Sequence, residues 1–210
     1  MRLFSADIAA LTAAAACALN DRTVHRLYSR WRQRIVELAL EELKSLAVEI
    51  EVDESYFGAR RVRGKRGRGA SVKTPVLGVH KRGDRVFVRV VKNCSKQALM
   101  PILRGNVLQE SDVYTDGWKA CNGLVTDGYK HHRVHHHQNE FARGKNHVNG
   151  IESFWSYAKF RMTKLRGVRR EKFLLHHKKC EWRWNHRGKN LYRILLSNFR
   201  KKPLSATLDP

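Results

Sequence analysis

A chain of 210 residues, 42% hydrophobic and 29% charged, has material for one sizeable core and a small accessory unit, which excludes a disordered chain. Lys and Arg number 42 against 19 Asp and Glu, a net charge of +23 and a sequence pI near 10.5. An excess of that size repels itself in a monomer and points to a polyanionic partner, nucleic acid first, since each neutralised phosphate releases a counterion.

An anionic membrane is a weaker candidate, because no basic amphipathic stretch or lipidation signal points there. Cys17, Cys94, Cys121 and Cys180 lie far apart without a C-x-x-C pair. They exclude a zinc ribbon and a disulfide scaffold and fit a reducing interior. The apolar run Ile8 to Leu19 is interrupted by Thr12 and preceded by Asp7, unlike a signal sequence, and no run reaches a membrane span. A cytoplasmic, nucleoid-associated protein is expected.

In chain order, residues 1 to about 45 read as helical. Ala-rich positions 9 to 18 predict a short helix, Leu19-Asn20-Asp21 a break, and Arg22 to about Leu46 a longer helix that Asn20 or Asp21 can cap. Val24, Leu27, Tyr28, Trp31, Ile35, Leu38 and Leu43 recur near a 3.6 period, with arginines mostly around the other faces. This is the layout of a helix-turn-helix, with Arg22, Arg26 and Arg30 facing DNA; an amphipathic helix with a solvated basic face has the same pattern.

From Val48 the period changes to two, with Val48, Ile50 and Val52 alternating with Glu49, Glu51 and Asp53, which predicts a strand. Residues 59 to 70 are too rich in Gly and Arg to pack. They predict an exposed loop whose Arg60, Arg61, Arg63, Lys65, Arg66 and Arg68 lie along phosphates. Thr74 to Lys81 and Arg85 to Lys92 predict a hairpin turning at Arg82-Gly83-Asp84. Ser95 can cap a helix through about Leu103, and Asp112 to Asp116 forms a fourth strand. A polar His-rich stretch (129 to 147) precedes helices over about 148 to 165, 170 to 185 and 191 to 200. The order predicts an α/β fold, a mixed sheet flanked by helices.

Three acidic residues fall where such a fold concentrates function. Asp53 lies towards the end of the first strand, Asp116 ends the fourth, and Glu152 sits beside the apolar helical face of Val148, Ile151, Trp155 and Ala158. Three hard oxygen donors in a basic protein suit Mg²⁺ or Mn²⁺, and two such ions stabilise both the attacking and the leaving oxygen of a phosphodiester. Lys159, two helical turns after Glu152, shares its face and can reach the phosphate near the cut. Glu49 and Glu51, on the strand face of Asp53, are expected to pair with nearby arginines. Asp127 repeats the TDG setting of Asp116 but in a loop. The cluster of His131, His132, His135, His136, His137 and His147 lacks the partners a zinc site needs. Arg161, Lys164, Arg166, Arg169 and Arg170, with Lys178 and Lys179, form a second basic tract for a nucleic-acid strand. Trp118, Trp155, Trp182 and Trp184 are expected in the core, and Trp31 is expected to pack rather than stack on a base.

The segments EVDESYFG (51 to 58), GKRGRGA (64 to 70), VYTDGW (113 to 118), HVNGIESFWSYAK (147 to 159) and EWRWNHR (181 to 187) resemble bacterial insertion-sequence transposases of the DDE superfamily, in its branch of small single-gene elements. The resemblance spans residues 48 to 187 and is fainter in the N-terminal segment. It implies a ribonuclease-H-like catalytic domain with Asp53, Asp116 and Glu152 as a metal-binding triad. The 35 residues between Asp116 and Glu152 match the superfamily's spacing, and Lys159 corresponds to its basic residue after the glutamate. Some members of this branch carry a different third residue, which draws attention to Asn149, but Glu152 alone stands seven residues before Lys159. The implied reaction is nicking at the element's ends by water, then attack of the freed 3′-hydroxyl on target DNA, by at least a dimer. The expected organisation is a helix-turn-helix-like segment (1–46), a catalytic domain (47–190) and a C-terminal helix and tail (191–210). The alternative is a non-catalytic DNA-binding protein derived from a transposase; a third is a nuclease of the same fold without strand transfer.

Overall fold

The structure, a computed structural model, describes residues 1–42, 46–58, 73–116, 125, 128–134, 147–165 and 167–204. The elements are α1 (Arg2–Ser5), α2 (Ala10–Ala16), α3 (Asp21–Glu41), β1 (Glu49–Phe57), β2 (Thr74–Lys81), β3 (Val86–Val90), α4 (Lys96–Asn106), β4 (Asp112–Thr115), β5 (Lys130–Arg133), α5 (Asn149–Thr163), α6 (Arg170–Asn185) and α7 (Leu191–Lys201). The expected loop over 59 to 70, with its six cations, lies outside the described residues, as do Trp118, Asp127, His135, His136, His137 and Arg166.

The five strands form one sheet in the order β3-β2-β1-β4-β5, with β1, β2 and β3 antiparallel and β4 and β5 parallel to β1. This is the mixed α/β sheet expected. Alternation along β1 sorts its side chains: Ile50 and Val52 join Leu77, Val79 and Phe87 against Leu99, Met100 and Leu103 of α4. Phe57, on the opposite face, joins Val76, Val86 and Val88 against Ile151, Phe154, Trp155 and Ala158 of α5 and Phe173 of α6. A third core gathers Phe4, Ala13, Ala14, Val24, Tyr28 and Ile35 from the N-terminal helices with Trp182 of α6 and Leu195 of α7. Trp31 packs there, its ring 5.2 Å from that of Phe4.

Helix caps follow the sequence. Asn20 accepts from the Arg22 amide and starts α3; Ser95 accepts from the Ala98 amide and starts α4. The free edge of β3 is closed by side chains of α6. Asn185 accepts from the Val86 amide at 2.8 Å and donates to its carbonyl at 2.9 Å, while Glu181 accepts from the Val88 amide at 2.8 Å. That substitutes for a sixth strand and protects the edge from pairing with another chain. It also gives the EWRWNHR segment a structural role.

Four expectations are corrected. Helix α3 ends at Glu41 rather than near Leu46, because Leu46 is drawn into a bridge with Val107 beside the sheet. The His-rich stretch contains a strand, β5, whose register on β4 supplies the hydrogen bonds its polar side chains do not advertise. Asp53 stands in the middle of β1, which runs on to Phe57. Lys178 is buried and bound to Glu181 at 2.7 Å, so it does not face a strand of nucleic acid. Among the described residues no helix is long and apolar enough to cross a membrane.

Candidate active site

Strands β1 and β4 pair only from Glu49↔Asp112 to Glu51↔Tyr114. Two residues further along each strand come Asp53 and Asp116, so continuing the register would set them side by side where the pairing has ended. Asp53 is half-buried on the face that meets α5, and Asp116 is exposed. Trp155 of α5 lies over that face and donates from Nε1 to Asp53 Oδ2 at 3.0 Å; the Glu54 amide donates to Oδ1 at 2.8 Å. Glu152 is exposed one helical turn before Trp155 and so projects on the same side of α5.

The electrostatics record the convergence. Burial, then the charge of Asp116, raises the Asp53 carboxyl to about 6 against its two hydrogen bonds, and Glu152 adds to the rise. Glu54 is pushed to about 7 by burial and by the charges of Asp53 and Asp116, and its Oε2 is buried with no hydrogen-bond partner. Asp116, after the end of β4, and Glu152, on α5, thus both act on the Asp53 carboxyl of β1. Among the described residues, no three His, Cys, Asp or Glu side chains stand close enough to enclose a metal ion unaided. Asp116 and Glu152 are solvent-exposed. Lys159 is exposed two turns along α5, with Nζ 6.0 Å from the Phe57 ring centroid.

A second acidic residue explains why α5 sits where it does. Glu51 is buried, yet it accepts from the Ile151 amide at 2.8 Å, from Arg82 Nε at 3.0 Å and lies 3.2 Å from His80 Nδ1. Burial alone would raise its pKa; these bonds outweigh burial and hold it below the usual carboxylate range. Arg82 also pairs with Glu49, donates to the His147 carbonyl and stacks 3.7 Å over the Tyr114 ring. It thereby ties β1, β4 and the segment entering α5 into one unit. The expectation that Glu49 and Glu51 pair with arginine holds.

Two glycines make the close approach possible. A Cβ on Gly78, which pairs with Asp53 across β1 and β2, would lie 2.5 Å from the Trp155 ring. A Cβ on Gly150 would lie 2.3 Å from the His80 ring and 2.8 Å from Glu51 Oε2. Sequence reasoning passed over both, along with Glu54 and the hydrogen bond from Trp155. A glycine inside an apolar strand is a signal of close approach and was available in TPVLGVHK.

The remaining sites are placed as follows. Arg22 and Arg26 are exposed on α3, and Arg30 is half-buried. Arg161 forms an ion pair with Asp7, which also accepts from Lys179 at 2.8 Å; Lys164 is exposed. His131 meets Thr115 Oγ1 at 2.9 Å, and His132 meets Asp112 at 2.7 Å and stacks on Tyr114. Asn149 is exposed at the first turn of α5.

The sheet order and the helices on both its faces define a ribonuclease-H-like α/β protein. The model of the ISXO2-like transposase domain matches residues 45–185, well over half of the sequence, and the chain belongs to that transposase family. An uncharacterized transposase-like protein of Haemophilus influenzae is 39% identical over 101 residues, covering 48% of this chain and 81% of that protein. An uncharacterized protein in transposable element ISH50 of Halobacterium salinarum is 32% identical over 139 residues, which is 59% of this chain and 47% of that protein. The chain thus spans about half the length of the second relative. Among solved structures, the catalytic core domain of BIV integrase overlays with a TM-score of 0.43 and 11% identity, over 75% of this chain and 99% of that one.

Proposed function

We propose that the protein is a metal-dependent DNA transposase that binds the ends of an insertion sequence, hydrolyses phosphodiester bonds there and joins the 3′-hydroxyl ends to target DNA. The observation that carries the reading is the placement of Asp53 and Asp116 at matching positions where the pairing of β1 and β4 ends, with Trp155 of α5, one turn after Glu152, hydrogen-bonded to Asp53. Burial, and then the charges of Asp116 and Glu152, raise the Asp53 carboxyl to about 6, a cost that a divalent cation would relieve, since carboxylate oxygens are suited donors to it.

Asp53, Asp116 and Glu152 would hold two ions, Mg²⁺ or Mn²⁺, which when bound stabilise charge on both oxygens of the displaced phosphodiester. The protein's own part is positional. Trp155 and the Glu54 amide hold the two oxygens of the Asp53 carboxylate by hydrogen bonds. The Glu51–Arg82 unit anchors the start of α5, the helix that carries Glu152. Lys159, two turns on, would hold a phosphate beside the cut, while Arg22, Arg26, Arg30, Lys164 and the 60–68 arginines and lysine would bind flanking DNA. The N-terminal helices would act as a helix-turn-helix-like DNA-binding segment ahead of the catalytic domain. Joining two ends calls for at least a homodimer on DNA, in the cytoplasm where the element resides.

The test is a duplex bearing the element's ends, incubated with Mg²⁺ and either the wild-type chain or Asp116→Ala. Cleavage and joining of labelled 3′-hydroxyl ends by the wild type alone is expected. Equal product from both proteins would remove the role of Asp116; cutting without joining would leave a nuclease.

A further inference from the structure

A cleft of about 660 Å³ opens between the N-terminal helices and the far end of α5. Its walls are the turn from Asp7 to Leu11, one face of α3, the end of α5 with the connection into α6, and α6 itself. Arg32, Arg161, Lys164, Arg169, Lys172 and Lys179 line it, with His25 and His176, and among its described lining residues Asp7 is the single acid. Asp7 is already shared between Lys179 and Arg161. Lys164, Arg169 and Lys172 stand exposed on one wall, and on the opposite wall Arg32 keeps its Nε buried without a hydrogen-bond partner. His25 and Arg32 are seven residues apart on α3 and so share a face. Positive charge this dense inside a concavity focuses field and needs an anion with several charges at fixed spacing.

We infer that this cleft holds the phosphodiester backbone of DNA, as a site separate from the carboxylates at the other end of α5. This deepens the transposase reading and rests on it for the identity of the polyanion. Arg161 and Lys164 follow Glu152 by nine and twelve residues, about 14–18 Å along the helix and about half and a third of a turn around it, so the cleft opens on a different side of α5 from Glu152 and a DNA held at both must cross the helix. The N-terminal helices and the catalytic sheet would then grip one DNA molecule jointly, since α3 supplies one wall and α5 with α6 the other.

The test uses the full chain carrying Asp116→Ala, so that no DNA is cut, and a labelled duplex whose affinity is read by anisotropy between about 50 and 200 mM salt. The variant Lys164→Gln/Arg169→Gln/Lys172→Gln is compared with a control of equal charge change on α7 and its end, Arg200→Gln/Lys201→Gln/Lys202→Gln. All six side chains are exposed, and circular dichroism with thermal melting checks that both variants fold. Each lost phosphate contact lowers the slope of log affinity against log salt by about 0.9, so the cleft variant is expected to lose about two to three and the control less than one. Equal loss in both variants, or none in the cleft variant, would overturn the cleft while leaving the transposase reading intact. No binding by the unsubstituted cleft at the lowest salt would overturn both.

Discussion

The indole of Trp155 donates to Asp53 at 3.0 Å across the gap between α5 and β1, so a core residue also orients a carboxylate of the candidate site. Trp155→Phe keeps most of the ring volume and removes this bond. A hydrogen bond to a charged group contributes about 1.5–3 kcal/mol. We expect the variant to fold, to melt lower, and to cut DNA at least tenfold more slowly at saturating Mg²⁺. Unchanged cleavage with a normal melting temperature would show that the bond orients nothing.

Asp53→Asn is expected to stabilise the metal-free protein. The carboxyl is raised from 3.8 to about 6, so the folded protein binds a proton more readily than the unfolded chain. Stability is therefore lost as pH rises from about 4 through 6, and the cost is complete above that window. The full shift corresponds to about 3 kcal/mol, which partial solvent exposure reduces to roughly 1–2. Denaturant titrations should show the variant gaining at pH 7.5 and near parity at pH 4. Mg²⁺ should raise the melting temperature of the wild type at pH 7.5 and leave that of Asp53→Asn nearly unmoved.

Glu51→Ala should do the opposite. It leaves Arg82, His80 and the Ile151 amide without their buried acceptor. Breaking a buried ion pair from one side costs about 3–5 kcal/mol. Urea unfolding that finds Glu51→Ala as stable as the wild type would remove the anchoring role of this residue.

Gly150→Ala and Gly78→Ala each add one methyl where none fits, 2.3 Å from His80 and 2.5 Å from Trp155. Overpacking of this kind costs about 1–3 kcal/mol. Because Gly78 lies under α5 and Gly150 belongs to its first turn, DNA cleavage should fall by more than the loss of folded protein explains. A circular dichroism melt beside a cleavage time course separates the two effects.

His177 gives a pH signature independent of the carboxylates. It is fully buried against Phe57 and Phe173, with neither ring nitrogen hydrogen-bonded, and burial lowers its pKa to about 3. The unfolded chain takes up a proton near 6.5 that the native protein refuses, so stability falls as pH drops through 6.5 towards 3. His177→Phe should be relieved of that loss, and its advantage over the wild type should grow by roughly 2 kcal/mol between pH 8 and pH 5. A difference independent of pH would mean that His177 titrates normally.

Much of this was legible before the fold was known. The alternation of Ile50 and Val52 with acidic residues marked β1, Asn20 and Ser95 marked helix starts, and the i, i+3, i+4 apolar face marked α5. What misled was local chemistry overruled by neighbours. Lys130–Arg133 has no apolar alternation, and it is a strand because β4 offers a free edge to pair with. Lys178 reads as a surface cation and is buried because Glu181 lies one turn away to receive it.

Residue type and periodicity determined the partner's charge, the α/β order and which acidic residues were candidates, because these depend on neighbours along the chain. Only the tertiary structure decided that Asp53 and Asp116 occupy matching positions where β1 and β4 part. It also decided that Glu51 pins α5 rather than serving the site, and that cations of α3, α5 and α6 share one cleft. Those outcomes turn on distances between segments far apart in sequence, and such distances are set by how cores close around Trp155, Trp182 and the two glycines, Gly78 and Gly150, where α5 meets the sheet.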